Sequence, residues 1–147
     1  MRRKEGFSLV ELLIVLAVMA ALIATITPVA LNAIKKAKAT QVAQNLKTLA
    51  SSFENSVYVN NSATTDVSTL ARDVDSTKYS IVYTETAGTY EATITYSGGD
   101  VDAEQVANVL KDATGTTGGD ITYNFEFVAY LFKKTKSLPS GRLLFLL

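Results

Sequence analysis

Residues 6–31 read GFSLVELLIVLAVMAALIATITPVAL, an apolar run with a single charged residue, Glu11. Residues 12–24 are all apolar, and residues 25–31 contain only two threonines and Pro28 as non-aliphatic residues. About 20 such residues in a helix span the hydrocarbon core of a bilayer. The run therefore predicts a helical membrane anchor.

Two ordinary kinds of N-terminal segment share this composition. A cleaved secretory signal also has a basic start, here Arg2, Arg3 and Lys4, but it needs small residues in an A-x-A-like pattern after the apolar run. No such pattern lies near the end of this run. A plain anchor fits better but leaves Glu11 unexplained, because a carboxylate at the centre of a membrane helix costs roughly 2.5–3.5 kcal/mol. An acid near the end of the run is tolerated at the membrane surface or beside a partner.

The segment GFSLVE, from Gly6 to Glu11, resembles the class III signal of type IV prepilins and pseudopilins. That family has a short basic leader, a glycine before the cut, usually phenylalanine after it, and a glutamate four residues further on. It also commonly has a proline late in the apolar stretch, where Pro28 lies. The resemblance covers residues 2–28 and is specific, because it combines leader, cut site, acid and apolar run.

The resemblance implies that a prepilin peptidase at the cytoplasmic face removes the leader, residues 1–6, and that the new amino group of Phe7 is methylated. Gly6 presents backbone without a Cβ, so a peptidase can approach closely. In a water-poor filament core, the Phe7 cation and the Glu11 carboxylate are each costly alone, and pairing relieves both. We therefore expect Phe7 and Glu11 to act in assembly and to set the register of subunits.

Beyond Leu31 the sequence becomes amphipathic instead of ending the helix. Apolar residues recur at helical spacing up to Val57, and Asn60-Asn-Ser62 supplies a stop. These residues predict one helix over Phe7–Val59, comprising a membrane anchor and an amphipathic stalk. A kink is expected near Pro28, because proline lacks the N–H and clashes with the preceding turn. Separate anchor and stalk helices are the alternative.

Residues 32–147 predict a globular domain that includes the stalk half of the helix. Its strand signals are alternating apolar and polar runs, and a hairpin turn is expected at 86–89. The predicted strands are Tyr79–Glu85, Tyr90–Tyr96 and Ile121–Phe132. The predicted short helices lie within Asp66–Asp75 and from an Asp102 cap to Ala113.

The expected fold class is α+β, with the long helix packed on a small antiparallel sheet. Helix and sheet each have one apolar face that needs a cover, and packing one on the other satisfies both. The resemblance implies the same layout. The stretch Lys133–Leu147 is basic and then wholly apolar from residue 143. It is too short for a second membrane span and is either a last edge strand or an atypical tail.

Composition excludes several kinds of site. The chain has no Cys and no His, so it has no zinc-type metal site and no catalytic triad that uses histidine. Its formal net charge is zero, without the clustered basic face that nucleic-acid binding requires. We expect no catalytic residues, no cofactor, no metal and no specific nucleic-acid partner.

Three weaker motifs have ordinary explanations. Asp100, Asp102 and Glu104 have the spacing of the first calcium-loop ligands, but the loop's glycine and final bidentate acid are missing, and helix capping explains Asp102 better. The glycine-rich stretch 115–119 lacks the lysine of a phosphate loop. Asn60-Asn-Ser62 fits a glycan acceptor, a pattern that is frequent by chance.

The predicted function is that of a structural subunit of a type IV pilus-like filament. Its expected partners are further copies of itself, prepilin peptidase, the inner-membrane assembly machinery and, before assembly, membrane lipid. It would be a single-pass protein of the cytoplasmic membrane and later part of an extracellular or periplasmic filament.

Two alternatives remain. One is a pseudopilin of a type II secretion or DNA-uptake system, slightly favoured by the lack of the C-terminal disulfide loop that many major pilins have. The other is a membrane-anchored binding domain that never polymerises.

Overall fold

The computed structural model describes residues 7–129 and contains three helices and four strands within that range. The leader, residues 1–6, and the C-terminal stretch Lys133–Leu147 lie outside the described residues, as does the end of the predicted strand Ile121–Phe132. The elements in chain order are α1 Leu9–Asn60, α2 Val67–Leu70, β1 Tyr79–Thr86, β2 Thr89–Tyr96, α3 Ala103–Val109, β3 Ala113–Gly115 and β4 Ile121–Val128.

Helix α1 is continuous over 52 residues and passes through Pro28. One helix over Phe7–Val59 is therefore confirmed, and the alternative of two separate helices is wrong. The helix ends where Asn61 adopts the left-handed conformation, with φ 52°, which is common for asparagine after a helix. The kink at Pro28 stays a prediction.

The backbone around Pro28 is supported by two threonine hydroxyls. Thr25 Oγ1 donates to the Leu22 carbonyl at 2.9 Å, and Thr27 Oγ1 donates to the Ile23 carbonyl at 2.7 Å. The carbonyl that loses its helical partner to proline is that of Ala24, four residues before it. The hydroxyls thus strengthen the preceding turn and leave Ala24 as the weak point of the helix.

The sheet is antiparallel throughout, in the order β1-β2-β4-β3. β1 and β2 form the predicted hairpin, whose last pair is Thr86 and Thr89. The two turn residues, Ala87 and Gly88, have φ values of 53° and 86°, which suit the right-handed twist of the flanking strands.

The core lies between the C-terminal half of α1 and the inner face of the sheet, which confirms the expected α+β packing. Phe53 is fully buried, and its ring centroid lies 5.3, 6.2 and 6.0 Å from those of Tyr83, Phe125 and Phe127. The other helix residues buried there are Ala39, Val42, Ala43, Leu46, Leu49, Ala50, Ser56 and Val57.

The predicted helix from Asp102 to Ala113 is wrong at its end. Asp102 does cap α3, but Leu110 is already extended, and Ala113 opens strand β3 opposite Tyr123. The apolar residues predicted to form one helical stripe are thus divided between α3 and β3. Ala113 is buried in β3, which pairs with β4. Within the predicted turn Asp66–Asp75, a four-residue helix forms, and Asp66 caps it through the Ser68 N–H.

Candidate processing and assembly site

Helix α1 has two halves with opposite surroundings. Every residue from 7 to 38 is exposed, and burial begins at Ala39. By length and composition the helix can cross a membrane, and no residue of its most apolar window is buried. An exposed apolar surface of this extent marks a site that contacts lipid or protein.

The N-terminus of α1 is closed by its own residues. Ser8 is extended, with φ −72° and ψ 141°, and occupies the position before the first helical residue. Its backbone N–H donates to Glu11 Oε2 at 2.9 Å. This bond is the glutamate's half of a capping box, and it also places a negative charge in the first turn, where the helix dipole favours one.

Glu11 therefore has a local partner that the sequence analysis missed. The signal was present as Ser8-Leu9-Val10-Glu11, the S-x-x-E pattern of a capping box directly before an apolar run. An acid in the anchor thus does not by itself require a neighbouring subunit. Two carboxylate oxygens offer more acceptor sites than the Ser8 N–H fills, so a second donor can bind.

The structure places Phe7 and Glu11 at the same end of α1. Phe7 precedes the helix and is 84% exposed. Gly6 lies outside the described residues, and Pro28 lies further along the same exposed half. The proposed cut would create its amino group on Phe7, directly before the Ser8 N–H that Glu11 already binds.

A second polar cluster fastens α1 to the head where the exposed half ends. Lys38 Nζ lies 3.2 Å from Asp100 Oδ2, and the Tyr96 hydroxyl donates to Asp100 Oδ1. The Tyr96 hydrogen bond and then the Lys38 hydrogen bond lower the pKa of Asp100. Burial, followed by the bond to Asp100, raises the pKa of Tyr96. A Cβ on Gly98 would overlap the Tyr96 hydroxyl, so any side chain there would force the Tyr96 ring to move.

Nothing in the sequence pattern predicted this cluster, since Lys38 and Asp100 are 62 residues apart. Hydrogen bonds within the head account for two residues of the calcium-like motif. Asp100 binds Lys38 and Tyr96, while Asp102 Oδ1 accepts from the Glu104 N–H and the Thr117 hydroxyl, both at 3.0 Å. Among residues 7–129, no three His, Cys, Asp or Glu side chains are grouped to hold a metal ion.

Comparison with known proteins bears on the N-terminus. A family model described as the prokaryotic N-terminal methylation motif matches residues 1–27. No curated protein and no solved structure matches the chain. The match supports what the residues themselves predict, namely that the chain carries the class III signal of a type IV pilin-like or pseudopilin precursor.

Proposed function

We propose that this chain is the precursor of a filament subunit, cut between Gly6 and Phe7, held in the cytoplasmic membrane by α1, and assembled through the same helix. The observation that supports this most is the exposed apolar half of α1, most of which lies within the methylation motif and which continues into a folded head. The role is structural rather than catalytic.

The proposal assigns one task to each part of the chain. Residues 1–6 are the leader, residues 7–31 are the transmembrane and polymerisation helix, and residues 32–147 are the globular domain with the stalk. A helix that is apolar all round is stable only when it is covered on all sides. Lipid covers it before assembly, and neighbouring copies of α1 cover it afterwards.

In the assembled state the Glu11 carboxylate pairs with the methylated Phe7 amino group of a neighbour. Phe7 and Glu11 lie four positions apart in the sequence, so a pair between two copies displaces one copy along the helix axis relative to the other. Removing one partner of a buried pair leaves the other charge unpaired, at a cost of about 3–5 kcal/mol. The pair thus favours one register over others.

One observation favours a second candidate, the membrane-anchored domain that never polymerises. The capping box explains Glu11 without any neighbour, and an isolated anchor needs nothing more. The methylation motif favours assembly, since a plain anchor has no use for a new amino terminus. Because the chain has no cysteine, two forms of assembly stay open: a surface pilus and a pseudopilin filament.

Processing is tested by the intact mass of protein extracted from membranes of a host with a prepilin peptidase. We expect loss of residues 1–6 and a modified amino group on Phe7. Gly6→Val should block the cut, because a branched side chain crowds the peptidase, whereas Ala21→Val, inside the apolar run, should be cut normally. An uncut chain, or a new N-terminus at Ala21, would contradict the proposal.

Assembly is tested by electron microscopy of sheared surface filaments with mass spectrometry of their subunits. Filaments that contain this chain support the surface pilus, and short periplasmic filaments support the pseudopilin. A processed chain that stays monomeric in the membrane under all conditions would favour the plain anchored domain.

A further inference from the structure

Three lysines lie where the exposed half of α1 meets the head. Lys35, Lys36 and Lys38 directly follow the apolar run, and all three are exposed. Successive residues of an α-helix point about 100° apart, so the three ammonium groups spread around the helix instead of lining one face. We call Lys35, Lys36 and Lys38 the basic collar.

Two of these lysines have no ion-pair partner among residues 7–129. Lys38 Nζ lies 3.2 Å from Asp100 Oδ2, whereas neither Lys35 nor Lys36 has a carboxylate oxygen within 4.0 Å in that range. Lys35 borders an open cavity with Asp100 and Asp102, but each of these carboxylates already accepts two hydrogen bonds from other residues. The ammonium groups of Lys35 and Lys36 can therefore bind an anion from outside the chain.

The basic collar lies at the height of a lipid headgroup when α1 crosses a membrane. The helix is continuous from Leu9 past the collar, so Lys35 lies about 39 Å from its start along a straight axis. A bilayer with its headgroup regions is about 40–45 Å thick. When the start of α1 lies in one headgroup layer, the collar reaches the other, where the lipid phosphates lie.

The end of the head that faces the membrane is acidic. Tyr79, Tyr96 and Ile121 pair at that end of the sheet, and the loop after Tyr96 reaches Lys38 through Asp100. The three loops at this end contain two basic residues, Arg72 and Lys78, and five acidic ones, Asp73, Asp75, Asp100, Asp102 and Asp120. Anionic headgroups repel such a surface, so electrostatic attraction to the membrane falls to the basic collar.

A second copy of the chain also carries acids, but it does not place them beside the collar while both copies lie in one membrane. Two anchors at equal depth bring collar beside collar, and these like charges repel. The aspartates of both heads lie on the far side of the collars from the bilayer. Lipid phosphate is the anion at the collar's own height.

We propose that Lys35 and Lys36 bind the phosphate groups of anionic phospholipids in the leaflet next to the head. In each contact an ammonium group donates to phosphate oxygens. Together the contacts fix the depth of α1, while the acidic end of the head stands clear of the surface. This inference rests on the membrane-anchored state of the proposed function, and not on the cut after Gly6 or on assembly.

The lipid selectivity of the full-length chain tests the proposal. The chain is reconstituted in phosphatidylcholine bilayers with a trace of spin-labelled phosphatidylglycerol or phosphatidylcholine, and electron spin resonance measures how much of each label the protein immobilises. Lys35→Gln and Lys36→Gln together should lower the preference for phosphatidylglycerol by roughly threefold, as an average over all lipids around α1. Lys35→Arg and Lys36→Arg together should retain the preference, because arginine keeps the charge.

Lys47→Gln is the matched control for Lys36→Gln. Both remove one exposed lysine of α1, but Lys47 lies about 17 Å further from the bilayer. The Debye length at physiological ionic strength is about 8 Å, so the charge of Lys47 is screened from the phosphates. Its removal should leave the preference unchanged. The basic residues at positions 2–4 are the same in every variant and contribute equally.

An unchanged preference in the double glutamine variant would overturn the proposal, and a simultaneous loss of filaments would assign the collar to a neighbouring copy. An equal loss in Lys47→Gln would also overturn it. So would loss of the wild-type preference when inorganic phosphate replaces chloride at equal ionic strength, since the lysines would then bind a small anion. A chain that never enters the bilayer would contradict the proposed function too, whereas one that enters with equal preference in all variants contradicts this inference alone.

Discussion

At the scale of single residues, the Glu11 carboxylate has one donor in the structure and a second one in the proposed filament. In the isolated chain it binds the Ser8 N–H and closes the start of α1. In the proposed filament it also meets the Phe7 amino group of a neighbour. The first role needs only a hydrogen-bond acceptor, whereas the second needs a negative charge, so two substitutions separate them.

Glu11→Gln keeps an acceptor for the Ser8 N–H, since glutamine also occurs in capping boxes, but it removes the charge. Glu11→Ala removes both. We expect both variants to be membrane-held and cut normally, because the scissile bond is unchanged, and to yield few or no filaments. Intact mass and filament counts from the same cultures measure the two effects. Normal filaments from Glu11→Gln would mean that capping is the whole role of Glu11.

The cluster around Asp100 predicts a dependence of stability on pH. Hydrogen bonds from Tyr96 and Lys38 hold the pKa of Asp100 below its ordinary value. A folded-state pKa below the unfolded one stabilises the fold above the unfolded value of about 3.9, and this contribution is lost as the pH falls through the folded value.

Asp100→Asn should therefore lower the urea midpoint of the head at neutral pH and match the wild type in strong acid. The effect is modest because both side chains of the ion pair are about half exposed. Asp112→Asn, on the exposed turn between α3 and β3, is the matched control for removing one surface acid. An equal deficit at both pH values would show that the ionised carboxylate is not responsible.

At the scale of elements, α1 has its weak point at the Ala24 carbonyl, where Pro28 supplies no N–H. Spin labels introduced through Leu13→Cys and Gln41→Cys would lie about 42 Å apart along a straight helix. Pro28→Ala should lengthen the measured distance toward that value, and Val29→Ala should leave it unchanged. Identical distances in all three proteins would show that α1 is straight at Pro28.

Sequence periodicity predicted the elements that are long enough to show it. The stripe of α1 and the alternation of β1, β2 and β4 fixed their type and place to within two residues at most ends. Periodicity did not predict β3, because this strand has three residues and forms only through its pairing with β4. The sequence did not predict the Asp100 cluster for a related reason, since contacts between residues far apart in the chain leave no local pattern.

At the scale of the whole molecule, the two halves of α1 require different solvents. A chain that starts at residue 32 keeps every buried residue of α1 and loses most of its exposed apolar surface. We expect it to be a monomeric α+β domain in water, whereas the chain from Phe7 onward needs detergent. Sedimentation and circular dichroism check both expectations. An all-helical spectrum, or aggregation of the shorter chain, would contradict them.

The path of α1 also has a mechanical consequence. The Asn45 amide donates to the Tyr79 hydroxyl and Phe53 contacts Tyr83, so about 12 Å of helix and about 13 Å of β1 advance in the same direction. Tension applied to the exposed half enters the head along that shared direction. It loads the helix–sheet contact in shear, so the buried side chains must slide past the sheet together instead of separating one at a time. The head is thereby suited to resist axial pulling more strongly than sideways peeling.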